Sequence, residues 1–228
     1  MADGGGRPAT RIQRERRAEI LGAALEVFSQ GGMKGATVGG IASAAGMSGP
    51  KLLYYFGSKD ALYREVLGEV IRLWRGPLEA IDAAGEPVDE IVGYVRRKLV
   101  MSRDHPRESR LFAAEILAGI PLARDEIFAP LKGVFEEKVA LIADWGAAGR
   151  IAPVDPHHLM YSIWATTQHY ADFEAQIAEL SPAKMPTLVA DAEGFLVPLY
   201  RRVLAPASGG APLDRAAPPA EPIPVEDA

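Results

Sequence analysis

Two groups of residues in this 228-residue chain have the types and spacing that do chemistry. Lys51, Tyr54 and Tyr55 follow the helix start Ser48-Gly49-Pro50, so an ammonium and two phenols sit on one short helix, within reach of phosphates or base edges. Tyr161, Trp164, Gln168 and Asp172 recur at i, i+3, i+7 and i+11, which lines one helix face with aromatic surface and then a carboxamide and a carboxylate. A Gln among aromatic rings needs a partner, because leaving it buried and unpaired costs on the order of 1–3 kcal/mol. That partner is a neighbouring helix, a water, or a bound molecule. A third group, His157, His158, His169 and Asp172, invites a metal or acid–base reading. Helical rise puts His158 and His169 roughly 16 Å apart, and His169 with Asp172 makes only two ligands. No metal, cofactor or catalytic group is expected, and the chain is not read as an enzyme.

Charge and composition narrow the partners. The net charge is −5, yet residues 1–64 hold nine Lys/Arg against five Asp/Glu, leaving the remainder about −9. A basic module on an acidic body suits phosphate binding, where each neutralised phosphate releases counterions. Cysteine is absent, which excludes a disulfide framework and thiolate chemistry. No apolar run approaches the roughly 20 residues of a membrane span, and the first residues carry no apolar signal segment, so a cytoplasmic protein is expected.

The elements that must position these groups read as helices throughout, giving an all-α fold. Ile20, Leu21, Ala24, Leu25 and Phe28 share a face of a first helix, Thr10 to Gln30, stopped at Gly31-Gly32. Thr37 caps a short helix with Val38, Ile41, Ala42 and Ala45 on one side, Gly46 breaks it, and Ser48 caps a third helix, Gly49 to Phe56. Ser58 then caps a long helix from Lys59 to Ile81. Further helices are expected at Glu86–Arg103, Pro106–Ala118, Pro121–Ala148, Asp155–Glu179 and Pro186–Leu204, the last kinked at Pro198. The domains are a disordered arm at 1–9, a helix-turn-helix domain at 10–57, a ligand-binding and dimerisation domain at 58–205, and a disordered tail at 206–228 with six prolines. Arg7, Arg11, Arg14, Arg16 and Arg17 read equally as a DNA-contacting arm or a solubilising one. The stripe of Ile163, Tyr170 and Ile177, with Thr166, Thr167, Leu188, Phe195, Leu199 and Val203, fits either a two-fold interface or internal core.

The run from Thr37 to Leu62, TVGGIASAAGMSGPKLLYYFGSKDAL, resembles the DNA-binding signature of the tetracycline-repressor (TetR) family. The resemblance implies that Thr37, Ser48, Tyr55 and Lys59 hold phosphates while Gly49, Pro50 and Lys51 face major-groove base edges. Leu53 stands where many family members have Tyr, and Gly49 has no side chain, so Lys51 is left as the one strong direct reader, best suited to guanine O6/N7. The function implied is a homodimeric repressor on a pseudo-palindromic double-stranded operator, controlled by a small-molecule effector. A constitutive structural DNA-binder is disfavoured by an acidic body more than twice the size of the head.

The segments Ser102–Phe112 and Ile151–Phe173 resemble a narrower group within that family, the pyrimidine-utilisation regulators, which are released by uracil or thymine. That resemblance implies a pocket lined by Trp164 and Gln168 and closed by Trp74. A pyrimidinedione presents adjacent N–H and C=O groups that one carboxamide satisfies as a pair, while indoles cover its faces. Gly39-Gly40, Gly49-Pro50-Lys51, Pro198 and the Pro-rich tail depart from that group, which leaves open a regulator of another catabolic or efflux operon with a different effector.

Overall fold

The computed structural model describes residues 11–119 and 128–206, and every regular element among them is helical. The order is α1 (Arg11–Gly35), α2 (Val38–Ala44), α3 (Gly49–Phe56), α4 (Lys59–Glu79), α5 (Pro87–Asp104), α6 (Pro106–Leu117), α7 (Phe128–Ala147), α8 (Pro156–Asp172), α9 (Glu174–Leu180), a 3-10 turn (Pro182–Thr187) and α10 (Leu188–Leu204). The expected arm at 1–9 and the tail from 207 onward lie outside the described residues.

Caps set the boundaries near the start of the chain. Thr37 Oγ1 accepts from Gly40 N at 3.0 Å and Ser58 Oγ from Ala61 N at 3.0 Å. Ser48 has the extended backbone of an N-cap, but its side chain makes no cap hydrogen bond. The expectation that Ser48 caps α3 through its hydroxyl is therefore corrected, and Pro50, which has no N–H to satisfy, eases the first turn instead. Gly32, expected to end α1, takes φ 61° and interrupts it, after which helical turns resume to Gly35. Gly46 at φ 62° permits the turn between α2 and α3.

Further along the chain the boundaries move. α4 ends at Glu79 rather than Ile81, and the expected helix at 155–179 breaks at Phe173, whose backbone (φ −116°, ψ 25°) leaves the helical region although neither Gly nor Pro is present. The last helix starts at Leu188 because Pro182 and Pro186 hold the preceding residues in a 3-10 turn. Pro198 removes the bond to Gly194 without ending α10. The proposed start of the seventh helix at Pro121 falls outside the described residues.

Two apolar clusters hold the fold together. The first joins Ile20, Ala24 and Phe28 of α1, Ile41 of α2 and Leu52 and Phe56 of α3 to a run along α4 from Leu62 to Trp74, and takes in Leu111 of α6. The second fills the space between α5, α7, α8 and α10 around Tyr94, Ile142, Trp145, Met160, Ile163 and Leu196. α4 contributes to both, with Trp74 in the first and Leu78 in the second. Fully burying one such Leu or Ile is worth about 1.5–3 kcal/mol, so α4 is held firmly at both ends.

Candidate functional site

At the head of the molecule α3 is two-faced. Leu52 and Phe56, one turn apart, are buried against α1 and α4, while Pro50, Lys51 and Tyr54 point outward, Tyr54 with 86% of its surface exposed. Among the described residues the Tyr54 ring meets one other ring, the edge of Tyr55, 5.8 Å away between centroids. Gly49 is close to α2, where a Cβ would touch Val38 at 3.5 Å. Thr37 and Ser48, each just before a helix, are also exposed. Of the sequence-predicted head residues, Thr37, Ser48, Pro50, Lys51 and Tyr54 are therefore exposed, while Gly49, Tyr55 and Lys59 are half-buried, Tyr55 packing against the head cluster. Lys59 is half-buried, and its Nζ donates to Met33 O and Ala36 O, each at 2.8 Å. Its first task is thus to tie α4 to the end of α1, leaving one N–H for a phosphate.

The basic start of α1 also works inside the head. Arg17 Nη1 donates to Tyr55 O at 2.7 Å, its other nitrogen pairs with Glu65, and its guanidinium lies 4.3 Å over the Phe56 ring. Arg16 donates to Ala45 O at 3.1 Å. These two arginines fasten α1 to the ends of α2 and α3, a role that neither sequence reading of the arm anticipated. Among the described ones, Arg11 pairs with Glu15 at an exposed i, i+4 spacing and Arg14 is exposed.

In the body, the five residues expected to meet a ligand converge. Trp74, Tyr161, Trp164, Gln168 and Asp172 all line one cavity of about 1420 Å³. Sequence reasoning missed part of its wall: Tyr94 on α5, Phe112 on α6, and Phe128 and Phe135 on α7. Phe135 stacks on Tyr161 (6.1 Å) and tilts against Trp164 (5.3 Å), while Trp74, Phe112 and Phe128 follow one another at 5.9 and 5.7 Å. No sequence signal marked these rings, because each reads as ordinary core spacing on its own helix.

The polar groups of the cavity are few. Trp164 Nε1 donates to Tyr94 Oη at 2.7 Å, which fixes the indole plane. Asp172 accepts from Ser109 Oγ at 2.5 Å, and burial raises its carboxyl pKa against the opposing pull of Ser109, Lys98, Arg110 and His169. Among the described residues the half-buried Gln168 carboxamide makes no hydrogen bond, and the buried Trp74 Nε1 has no hydrogen-bond partner. His157 and His158 sit near Tyr161 rather than with Asp172, and among the described residues no three His, Asp or Glu side chains gather as metal ligands. No described helix is long and apolar enough to cross a membrane.

On the face of α10 away from the core, Phe195, Leu199 and Val203 are exposed at i, i+4 and i+8, while Ala192, Leu196, Tyr200 and Leu204 are buried. The apolar stripe proposed for a two-fold interface divides accordingly. Ile163 and Thr167 belong to the core, with Thr167 Oγ1 donating to Ile163 O, and the exposed α10 residues form a free apolar face.

Residues 20–66 match the family described as bacterial regulatory proteins, tetR family, and residues 67–203 match the YcdC-like protein, C-terminal region. The chain is 48% identical over 170 residues to the HTH-type transcriptional regulator RutR of Escherichia coli K12, covering 75% of this chain and 80% of that one. This chain belongs to the tetR family. It is a RutR-like transcriptional regulator. Another relative is the regulator BetI of Paraburkholderia phymatum, 30% identical over 105 residues, which cover 40% of this chain and 54% of BetI. The fold matches the transcriptional regulator SCO4942 of Streptomyces coelicolor with a TM-score of 0.63 at 25% identity, over 84% of this chain and all but 1% of that one. It also matches AibR in complex with isovaleryl coenzyme A and operator DNA, with a TM-score of 0.56 at 20% identity, over 68% of this chain and 85% of AibR. In this tetR-family protein the two family matches meet at residues 66 and 67, inside α4, the helix whose side chains reach both apolar clusters.

Proposed function

We propose that this regulator is a cytoplasmic, non-enzymatic homodimeric repressor that leaves its operator when a small planar ring, uracil or a close analogue, enters the cavity. One observation carries the reading: Trp74 of α4 and Tyr161, Trp164, Gln168 and Asp172 of α8 line a single aromatic cavity, in which the half-buried Gln168 carboxamide makes no hydrogen bond to a described residue. The head, residues 10–57, supplies Lys51 to a base edge and Thr37, Ser48, Tyr55 and the remaining N–H of Lys59 to phosphates, with Gly49 and Pro50 allowing close approach and Tyr54 flanking them. The body, residues 58–205, holds the effector and the partner subunit. Control passes along α4. About fifteen residues, some 22 Å of helix, separate Lys59 from Trp74, so a tilt of a few degrees moves the head by an ångström or more and strains docking in two successive grooves.

A cavity of about 1420 Å³ exceeds the roughly 300–1,000 Å³ of common ligand sites and favours, as a second reading, a larger effector from another catabolic or efflux route. DNA selected by the purified protein, followed by titration of uracil onto the complex, separates the two. Release by uracil supports the first reading, and release only by larger ligands supports the second.

A further inference from the structure

Lys98 has no signal in the sequence, and the fold makes it unusual. It lies on α5 one turn beyond Tyr94, with 1% of its surface exposed. Its ammonium makes no hydrogen bond or ion pair to any described residue, and it faces the Trp74 ring with Nζ 4.9 Å from the centroid. Burial lowers its pKa to about 7, with the Asp172 carboxylate pulling the other way. A buried cation without an acceptor is costly and is rarely kept without a use.

Its neighbours are short of acceptors too. Among the described residues, buried Trp74 Nε1 has no hydrogen-bond partner, the Tyr94 hydroxyl accepts from Trp164 and keeps its own hydrogen, and the half-buried Gln168 carboxamide makes no hydrogen bond. Asp172 is the only carboxylate among the described cavity residues, and one of its oxygens is taken by Ser109. Donors therefore outnumber acceptors where α4, α5 and α8 meet. Lys132 and Arg110 add positive charge elsewhere on the wall, Arg110 being loosely paired with Glu174 at 3.5 Å.

We propose that Lys98 is a specificity-determining residue of the cavity: its charge, one layer behind the Trp74 ring, selects a planar ring that turns carbonyl oxygens or an oxyanion toward that end and rejects a ring with an amino group there. This rests on the reading of the cavity as the effector site. A ring with an acidic N–H between two carbonyls meets the imbalance, its oxygens facing the donors and its N–H facing Asp172 or the Gln168 oxygen. An analogue that replaces one carbonyl by an amino group sets donor against donor, and the low dielectric around a buried cation enlarges the difference.

The test is calorimetric titration of the full-length protein with uracil, cytosine and barbiturate. The expected order is barbiturate and uracil at least about tenfold tighter than cytosine. Lys98→Met should bring the uracil-to-cytosine ratio close to one and lose the barbiturate advantage, a change in selectivity that a merely structural lysine would not produce. Lys98→Arg, which keeps the charge, should retain the preference, and Lys98→Gln replaces the Met variant if circular dichroism shows that the latter has not folded. An unchanged ratio in folded Lys98→Met or Lys98→Gln, a wild-type preference for cytosine, or no binding of any of the three overturns the assignment. Gln168→Leu separates the two claims. If it abolishes uracil binding while the Lys98 variants leave selectivity intact, the cavity stands and the role of Lys98 falls; if uracil binds Gln168→Leu as it binds wild type, the cavity reading falls and the Lys98 assignment falls with it.

Discussion

Ser109 of α6 donates a hydrogen bond to Asp172 of α8 across 2.5 Å, at the wall of the cavity. The same α6 reaches the head, through Arg107 to Glu26 of α1 at 2.8 Å and through Glu115, which accepts from Tyr63 of α4 at 2.9 Å. α6 thus ties the cavity to both α1 and α4, beside the direct route along α4 itself.

The Tyr63–Glu115 bond gives the first prediction. Both side chains are buried, and burial together with the neighbouring carboxylate raises the Tyr63 pKa, so its hydroxyl stays protonated and donating. Tyr63→Phe should cost about 1–3 kcal/mol in urea unfolding, because it strips a buried Glu of a hydrogen-bond donor. A loss of less than about 0.5 kcal/mol would contradict this role.

Lys98 makes stability depend on pH in a known direction. Its folded pKa of about 7 lies below its unfolded value of 10.5, so the unfolded state binds more protons between them. The stability associated with Lys98 is fully present above the unfolded value and falls as pH drops toward 7. Lys98→Met should remove this slope, so urea unfolding at pH 9.5 and pH 7 should show wild type losing on the order of a few kcal/mol more than the variant. Parallel losses in the two proteins would contradict it.

For the head, Lys51→Ala should cost about 1–3 kcal/mol of operator affinity and relax the base preference at one position. Lys59→Ala should weaken binding to all sequences alike, flatten the salt slope by about one unit, and lower stability, because the Met33 and Ala36 carbonyls lose their donor. Anisotropy titrations on operator and scrambled DNA at several salt concentrations check both. Identical profiles for the two variants would refute the division between reader and clamp.

The free apolar face of α10 is expected to lie against the partner subunit. Phe195→Arg together with Val203→Arg should yield a monomer by light scattering, with operator binding weakened about a hundredfold or more, because one three-residue readout specifies little alone. A dimer of unchanged stability would place the interface elsewhere.

How far the sequence told all this varies with the kind of signal. α2, α3 and the start of α4 are marked by Thr37, Gly46, Gly57 and Ser58, residues whose caps and positive φ angles are local and readable. The break at Phe173 depends on packing around α8 and carries no such mark. Tyr161, Trp164, Gln168 and Asp172 were legible because a single helix carries them at one period. Tyr94, Phe112, Phe135 and Lys98 come from three other helices and meet only in the folded chain, and on α5 the spacing of Tyr94 and Lys98 is that of any amphipathic helix. Arg16 and Arg17 read only as part of an arm, DNA-contacting or solubilising, because a charge run does not reveal the carbonyls it will meet.

The proposed function requires that the Gln168 cavity and the operator surface be coupled through binding. The most direct measurement is operator affinity, by anisotropy, of the wild type and of Gln168→Leu across a uracil titration. The wild type should lose affinity by about 5–150-fold at saturation, equivalent to about 1–3 kcal/mol of coupling, and operator DNA should weaken uracil binding by the same factor. Gln168→Leu should bind the operator as the wild type does and remain bound at every uracil concentration. Release of the variant at the same uracil concentration as the wild type would show that control does not run through the Gln168 cavity.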